Sequence, residues 1–360
     1  MRETEKIVYR DKTRRVNAGR IAIGGGSSVS VQSMLSVPTT DFPAALAQIR
    51  ALEFAGCDII RLAIRDEDAL RAFRKLRKSV ETPLVADIHF DYRLAIGAAE
   101  AGADKLRINP GNIGSAERVR AVADVAKDCG IPIRVGVNAG SLPEDLAYGG
   151  PTPDKMVESA RREIEQLVKS GFEDIVVSLK SHDVTMTVEA NRLFMSGFDF
   201  PLHIGITEAG LPPEALIKGS AGIGSLLLDG IGDTIRFSIT GDPVQEVIAG
   251  KALLRACGLL ESGIELVCCP VCGRCRVDLA EVAREVADKL PRTNRQLVVA
   301  VMGCEVNGPG EAKNADIGIA GGNEEYLLFR RGEVIGKIPQ EHAVQRLIDE
   351  IESVLGESEK

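Results

Sequence analysis

From Val29 onward the chain alternates between short β-branched, apolar runs and longer segments in which Ala, Leu, Glu and Arg recur at helical spacing. The pattern predicts strands near residues 29–34, 58–64, 84–88, 104–108, 132–138, 174–180, 202–206 and 235–240. Helices are predicted between them, near 42–55, 66–79, 91–101, 115–129, 154–170, 183–196 and 212–222, with one more after Asp242. Gly56, Gly102, Gly130 and Gly171 follow predicted helices, where a C-terminal glycine ends a helix by taking a positive φ. Eight βα units in succession predict a parallel sheet closed into a TIM barrel. An open doubly wound sheet is the alternative, and the even spacing of the units favours closure. Residues 1–28 are charged and then glycine-rich at Gly24-Gly25-Gly26, which fits a hairpin leading into the barrel.

Near Glu261–Gly263 the rhythm changes. A strand runs into a cysteine-rich loop, a helix is expected near 278–290, and a strand at Leu297–Met302. Short strands near 315–320 and 326–338 and a helix near 341–355 complete the chain. The expected organisation is a barrel over residues 1–260 and a small α+β domain over 261–360.

Composition narrows the partners. The net charge of −8 argues against nucleic acid and anionic membrane surfaces, and four Tyr, ten Phe and no Trp leave little for base stacking. No apolar run approaches the ~18 residues of a membrane span, and Met1–Lys6 lacks the apolar core of a signal peptide. A cytoplasmic protein with reduced thiols is expected.

Five of the eight cysteines lie between Cys268 and Cys304. Cys269 and Cys272 have the spacing that brings two thiolates to one metal centre, and Pro270 and Gly273 let the backbone wrap round it. Cys304 lies between Gly303 and an Asn-Gly-Pro-Gly-Glu turn ending at Glu311. An iron–sulfur cluster, a structural zinc knot and incidental buried thiols are three readings of the pattern. A zinc knot wants a second pair near Cys304, and there is none. On spacing alone Cys275, which completes Cys-x-x-Cys-x-x-Cys, is the natural third ligand.

Barrel active sites lie at the C-terminal ends of the strands. Here those ends carry Arg61, Arg107 with Asn109, Arg134 with Asn138, Ser178 with Lys180, and Arg236 with Ser238. Asp87 and Glu208 are the obvious strand-end acids. A surplus of cations inside apolar strands calls for a polyanion, and guanidinium groups suit diphosphate. His89 and His203 are candidate acid–base groups, although a histidine in a strand is more often a hydrogen-bonded core residue.

Several of these stretches resemble one family. They are Val31-Gln-Ser-Met, Ala86-Asp-Ile-His-Phe-Asp-Tyr-Arg, Leu106-Arg-Ile-Asn-Pro-Gly-Asn-Ile-Gly and Gly136-Val-Asn-Ala-Gly-Ser-Leu, together with Gly205-Ile-Thr-Glu-Ala-Gly, Gly230-Ile-Gly-Asp-Thr and Asn307-Gly-Pro-Gly-Glu. The chain is similar, from about residue 10 to 355, to the 4-hydroxy-3-methylbut-2-enyl diphosphate synthase family in its two-domain bacterial form. The resemblance implies a TIM barrel joined to an α+β iron–sulfur domain, in a homodimer where the cluster of one subunit covers the barrel of the other. It implies a [4Fe-4S] cluster held by Cys269, Cys272, Cys304 and Glu311, with Glu311 also releasing the iron during catalysis. The implied substrate is 2-C-methyl-D-erythritol 2,4-cyclodiphosphate, opened reductively with electrons from flavodoxin or ferredoxin. Arg61, Arg107, Arg134, Asn138, Lys180, Arg236 and Ser238 are expected to bind it, and Asp87, His89, Glu208 and Asp229 to manage protons. Two departures stand out: Cys268 and Cys275 are extra thiols, and Asp229 stands where relatives often carry Glu.

Overall fold

A computed structural model describes residues 8–291, 293–304 and 313–356. The chain divides into two compact units, Met1–Leu259 and Leu260–Lys360.

The first unit opens with an antiparallel hairpin, β1 (Val16–Ala18) and β2 (Ile21–Ile23). The eight barrel strands follow: β3 (Ser30–Met34), β4 (Ile59–Ala63), β5 (Leu84–Asp87), β6 (Lys105–Ile108), β7 (Ile133–Asn138), β8 (Ile175–Lys180), β9 (His203–Ile204) and β10 (Thr234–Ile235). They form one parallel sheet in the order β8-β7-β6-β5-β4-β3-β10-β9. A parallel bridge between Val177 and Leu202, beside β9, brings the two ends of the sheet together.

The period of two in each strand divides its side chains between helices and interior. On β6 and β7, Leu106, Ile108, Val135 and Val137 face the helices and are buried there. At the base the interior is apolar: Val16, Ala18 and Ile23 of the hairpin pack on Ile59, Val85 and Val176. Six of the barrel helices start at a side-chain cap. Asp41, Asp66, Asp91, Thr152, Asp183 and Asp242 each accept a hydrogen bond from a first-turn N–H. Gly56, Gly102, Gly130 and Gly171 have positive φ, as expected after a helix.

Two barrel strands are shorter than the hydrophobic pattern predicts. β10 ends at Ile235, so Arg236 and Ser238 follow the strand instead of lying in it. The backbone there is held by a side chain, since Ile239 N donates to Glu246 Oε1 at 3.2 Å. A helical carboxylate replaces the sheet ladder, and an apolar run cannot signal that exchange.

The second unit is a mixed sheet in the order β11-β12-β13-β14-β15. Its strands are β11 (Ile264–Cys268), β12 (Leu297–Met302), β13 (Ile317–Gly321), β14 (Glu325–Arg330) and β15 (Glu333–Pro339). The first three are parallel and the last two antiparallel to their neighbours. Helices Leu279–Lys289 and Ala343–Gly356 cover it through Val286, Leu347 and Ile351, packed on Val299, Val301 and Ile319. The stretch expected as one strand over 326–338 is a hairpin. Arg330 pairs with Glu333 across Arg331 and Gly332, both at positive φ, the backbone of a tight two-residue turn. Arg-Gly there lacks the Asn or Asp that usually marks such turns.

Candidate active site

Most of the expected mouth residues converge at one end of the barrel. Arg61, Arg107, Arg134 and Lys180 project from β4, β6, β7 and β8, with Asn138 at the end of β7 and Arg236 and Ser238 just after β10. Asp87, the last residue of β5, organises one side. Its carboxylate lies 3.7 Å from Arg61 Nε, 3.3 Å from Arg107 Nη1 and 3.4 Å from His89 Nε2. Burial alone raises its pKa, but Arg61, His89 and Arg107 outweigh that and hold it well below the usual carboxylate range. Asp87 is therefore a permanent anion that fixes two guanidiniums. His89 is half-exposed, with Nδ1 3.4 Å from Arg107 Nη1.

The partner on the other side is not apparent from the sequence. Glu246, on the helix Pro243–Ala256, takes Arg236 through two contacts of 3.1 and 3.2 Å and Ser33 Oγ at 2.8 Å. Met34 sulfur accepts from Arg61 Nε at 2.9 Å and lies 3.9 Å from Arg236 Nη1, separating the two cations. Burial, with Arg236 and Arg107 against Asp87, lowers Arg61 to about 10.

Other cations have less compensation. Arg134 is buried with Nε and Nη1 unpartnered among the described residues. Burial, then Arg61 and Arg107, pushes its pKa well down. Lys105, also missed, is fully buried at the start of β6 with an unpartnered Nζ. Its signal was a lysine two residues before Arg107, on the same face of a strand otherwise apolar. Lys180 Nζ lies across Gly205, where a Cβ would meet it at 2.8 Å and Arg236 O at 2.4 Å. Only glycine leaves that crossing open.

The remaining acids divide. Glu208 is exposed after β9 and holds φ +53, a left-handed backbone that costs a non-glycine residue ~1–2 kcal/mol. Such strain is often stored where a side chain must be aimed. Asp229 is not brought to the mouth. It ends the helix Glu214–Leu228 ahead of β10, at the base of the barrel, and pairs with Arg192 at 2.6 Å. His203 is a core residue, fully buried, with Nδ1 3.4 Å from Thr234 Oγ1. Burial and then Lys180 push its pKa well down, so it stays neutral.

In the second unit, Cys269, Cys272, Cys275 and Cys304 line one cavity of about 210 Å³ with Pro270, Arg274 and Gly303. Cys304 follows β12 and is buried, and Gly303 N donates to Cys269 Sγ at 3.2 Å. Hydrogen bonds from the backbone and side chain of Arg274 lower the Cys272 pKa, favouring its thiolate. Cys275 Sγ donates to Val277 O at 3.2 Å and rests on Gly303, where a Cβ would meet it at 2.6 Å. Cys268, at the end of β11, is exposed and does not line the cavity. Among the described residues no three Cys, His, Asp or Glu side chains converge on a single ion. Soft donors spread round a cavity suit a group of several metal atoms better than one tetrahedral ion. Glu311 lies outside the described residues.

These features define a TIM-barrel protein with a cationic mouth and a second, thiol-bearing α+β unit. Residues 13–251 match the GcpE TIM-barrel domain and residues 265–353 the GcpE protein C-terminal domain. The chain belongs to the GcpE family. It is 51% identical over 349 residues to a protein of Ruminiclostridium cellulolyticum named 4-hydroxy-3-methylbut-2-en-1-yl diphosphate synthase (flavodoxin), covering 96% of this chain and 99% of that one. It is also 51% identical over 353 residues to the protein of the same name from Caldanaerobacter subterraneus subsp. tengcongensis, covering 98% and 99%. The barrel is similar to a type I 3-dehydroquinate dehydratase of Clostridium difficile at a TM-score of 0.51 and 16% identity, over 69% of this chain and 98% of that one. That likeness is one of fold alone.

Proposed function

We propose that the chain reductively opens and dehydrates 2-C-methyl-D-erythritol 2,4-cyclodiphosphate to 4-hydroxy-3-methylbut-2-enyl diphosphate, a step towards isoprenoid precursors. Its relatives carry the name of this synthase. The observation that carries the reading is the surplus of buried cations at the mouth, above all Arg134 with two guanidinium nitrogens unpartnered. A buried unpaired charge is costly, and a diphosphate supplies the oxygens that several guanidiniums need at once.

Arg61, Arg107, Arg134 and Lys180 hold the diphosphate, and Asn138 and Ser238 add hydrogen bonds. Arg236 contributes Nη1, since its other nitrogens are engaged by Glu246. Asp87 keeps Arg61, Arg107 and His89 in place and, being held ionised, serves as an anchor and not as a proton donor. Proton transfer falls to His89 and Glu208 at the mouth. Asp229, at the base, takes no part in this reading.

Cys269, Cys272 and Cys304 are the proposed thiolate ligands of a [4Fe-4S] cluster, with Glu311 as the fourth. Bound there, the cluster would supply electrons singly and an iron site that polarises a carbon–oxygen bond. Reduced flavodoxin, the donor in the relatives' names, or ferredoxin delivers the two electrons, and one water leaves the substrate. The working unit is a homodimer in the cytoplasm; among the described residues no helix is long and apolar enough to cross a membrane.

Anaerobic purification tests the reading. A brown protein with broad near-visible absorption, turning over the cyclodiphosphate with reduced flavodoxin, is expected; a colourless zinc protein would overturn it. Cys304→Ser should lose most of the iron and Cys275→Ser should keep it, and the reverse outcome would exchange the two residues' roles.

A further inference from the structure

Lys105 lies two residues before Arg107 on the same inward face of β6, ~6–7 Å deeper in the barrel. It is fully buried, and Nζ has no hydrogen-bond partner among the described residues. Val85 of β5 stands beside it in register. The charged groups that act on it are Arg134 of β7 and Arg61 of β4, both cations. Across the interior, His203 of β9 and Lys180 of β8 are basic as well.

The carboxylates of this interior are committed elsewhere. Asp87 holds Arg61, Arg107 and His89, and Glu246 holds Arg236. Glu163, on the helix Pro153–Lys169 outside the sheet, is raised to about 8 by burial and so is protonated near neutrality. A charged ammonium at Lys105 would have neither water nor a counter-ion, beside two guanidiniums. A cyclic diphosphate carries two negative charges, and seated on those guanidiniums it offsets the positive field that Arg134 and Arg61 impose on Lys105.

We propose, resting on the reading of the mouth as a diphosphate site, that Lys105 is neutral in the empty barrel and charged in the occupied one, so that binding draws in about one proton. The proton comes from solvent and forms the ammonium on Nζ; no other bond changes. Lys105 touches no substrate atom in this account. It is a positioning residue that acts through Arg107 and Arg134, neutral so that they can be held close and charged once the anion is bound. Burial, then Arg134 and Arg61, places its pKa well below that of an ordinary lysine. Other groups suit the role less well. Arginines retain their protons, and His203 is pushed further from charging by burial and by Lys180. Burial and Arg134 push Lys180 the same way, but its side chain is partly exposed at the mouth, where water supports the charge.

Calorimetric titration of the anaerobically purified protein with the cyclodiphosphate, without reductant and in buffers of different ionisation enthalpy, counts the protons. At mildly alkaline pH the expected uptake is about one proton per ligand, with affinity falling about tenfold per pH unit while that proton is exchanged. Lys105→Met should still bind, with the uptake lost and the pH dependence flattened. Binding without uptake in the wild type, or uptake unchanged in Lys105→Met, would overturn the proposal and leave the diphosphate site intact. Failure to bind would overturn the diphosphate reading itself. Should Lys105→Met not fold, the carbon-13 resonances of lysine Cε in the wild type decide. One buried lysine should move from the neutral to the charged position on ligand addition, and no such movement would sink the idea.

Discussion

Arg107 belongs to the proposed diphosphate site and is also engaged within the fold. It donates to Asp87 and also borders the mouth. If it contributes one charge-assisted contact of roughly 1.5–3 kcal/mol to the diphosphate, Arg107→Ala should weaken substrate binding by about one to two orders of magnitude in a calorimetric titration. Arg61 and His89 still hold Asp87, so the thermal transition should stay cooperative. Unchanged affinity would reduce Arg107 to an internal ion-pair partner. Glu163 is a different case, a buried carboxyl with Oε2 unpartnered and a pKa of about 8. Its folded value exceeds the unfolded one, so the folded chain keeps a proton that the unfolded chain releases. Stability therefore declines as pH rises from the ordinary carboxylate range through about 8. Glu163→Gln should match the wild type in acid and exceed it by on the order of a few kcal/mol above pH 8. Equal stability of the two proteins in alkaline denaturant titrations would show that Glu163 has an undetected partner.

At the scale of elements, Gly205 is a close crossing at the mouth. A methyl group there would strike Arg236 O and Lys180 Nζ, so Gly205→Ala must displace both, and the Lys180 side chain is the freer to move. The expected cost is ~1–3 kcal/mol of stability, with a larger fractional loss of turnover because Lys180 is moved off the ligand. Full activity in the variant would show that Lys180 is not needed where it lies. The βα rhythm is legible because the buried parallel strands are short, largely apolar runs, and six of the helices between them begin at an Asp or Thr cap. A hairpin before the barrel is expected from the sequence, but the glycines that suggest it, Gly24, Gly25 and Gly26, follow the hairpin and are not its turn. The mouth was half legible: Arg61, Arg107 and Arg134 stand out inside apolar strands. Lys105 stood out equally on β6 but was passed over beside Arg107. Glu246 did not stand out, because an acid in the first turn of a helix looks like a solvated end until the barrel closes over it. Asp229 was misplaced because its motif carried no information about which end of the barrel it occupies. The helix–strand order does carry that information, since a residue between a helix and the next strand lies at the base.

For the whole molecule, the family resemblance implies that the thiol unit of one chain serves the barrel of its partner, which is a proposal about the homodimer. Mixing Arg134→Ala with Cys269→Ser tests this directly. In a mixed dimer one site would pair an intact barrel with an intact thiol set, so activity should partly return. If subunits demonstrably exchange and activity stays at the level of the separate variants, each chain works alone. The hairpin Val16–Ile23 adds a constraint on traffic. It seals the base of the barrel with Val16, Ala18 and Ile23 against Ile59, Val85 and Val176, an oily floor that neither ions nor water can cross cheaply. A vessel closed below fills and empties through one opening. On the proposed reading, the diphosphate that enters and the one that leaves use the same doorway in turn, so spent product blocks fresh substrate until it departs. The proton destined for Lys105 has no back entrance either: it must come in by the mouth, ahead of the ligand or alongside it.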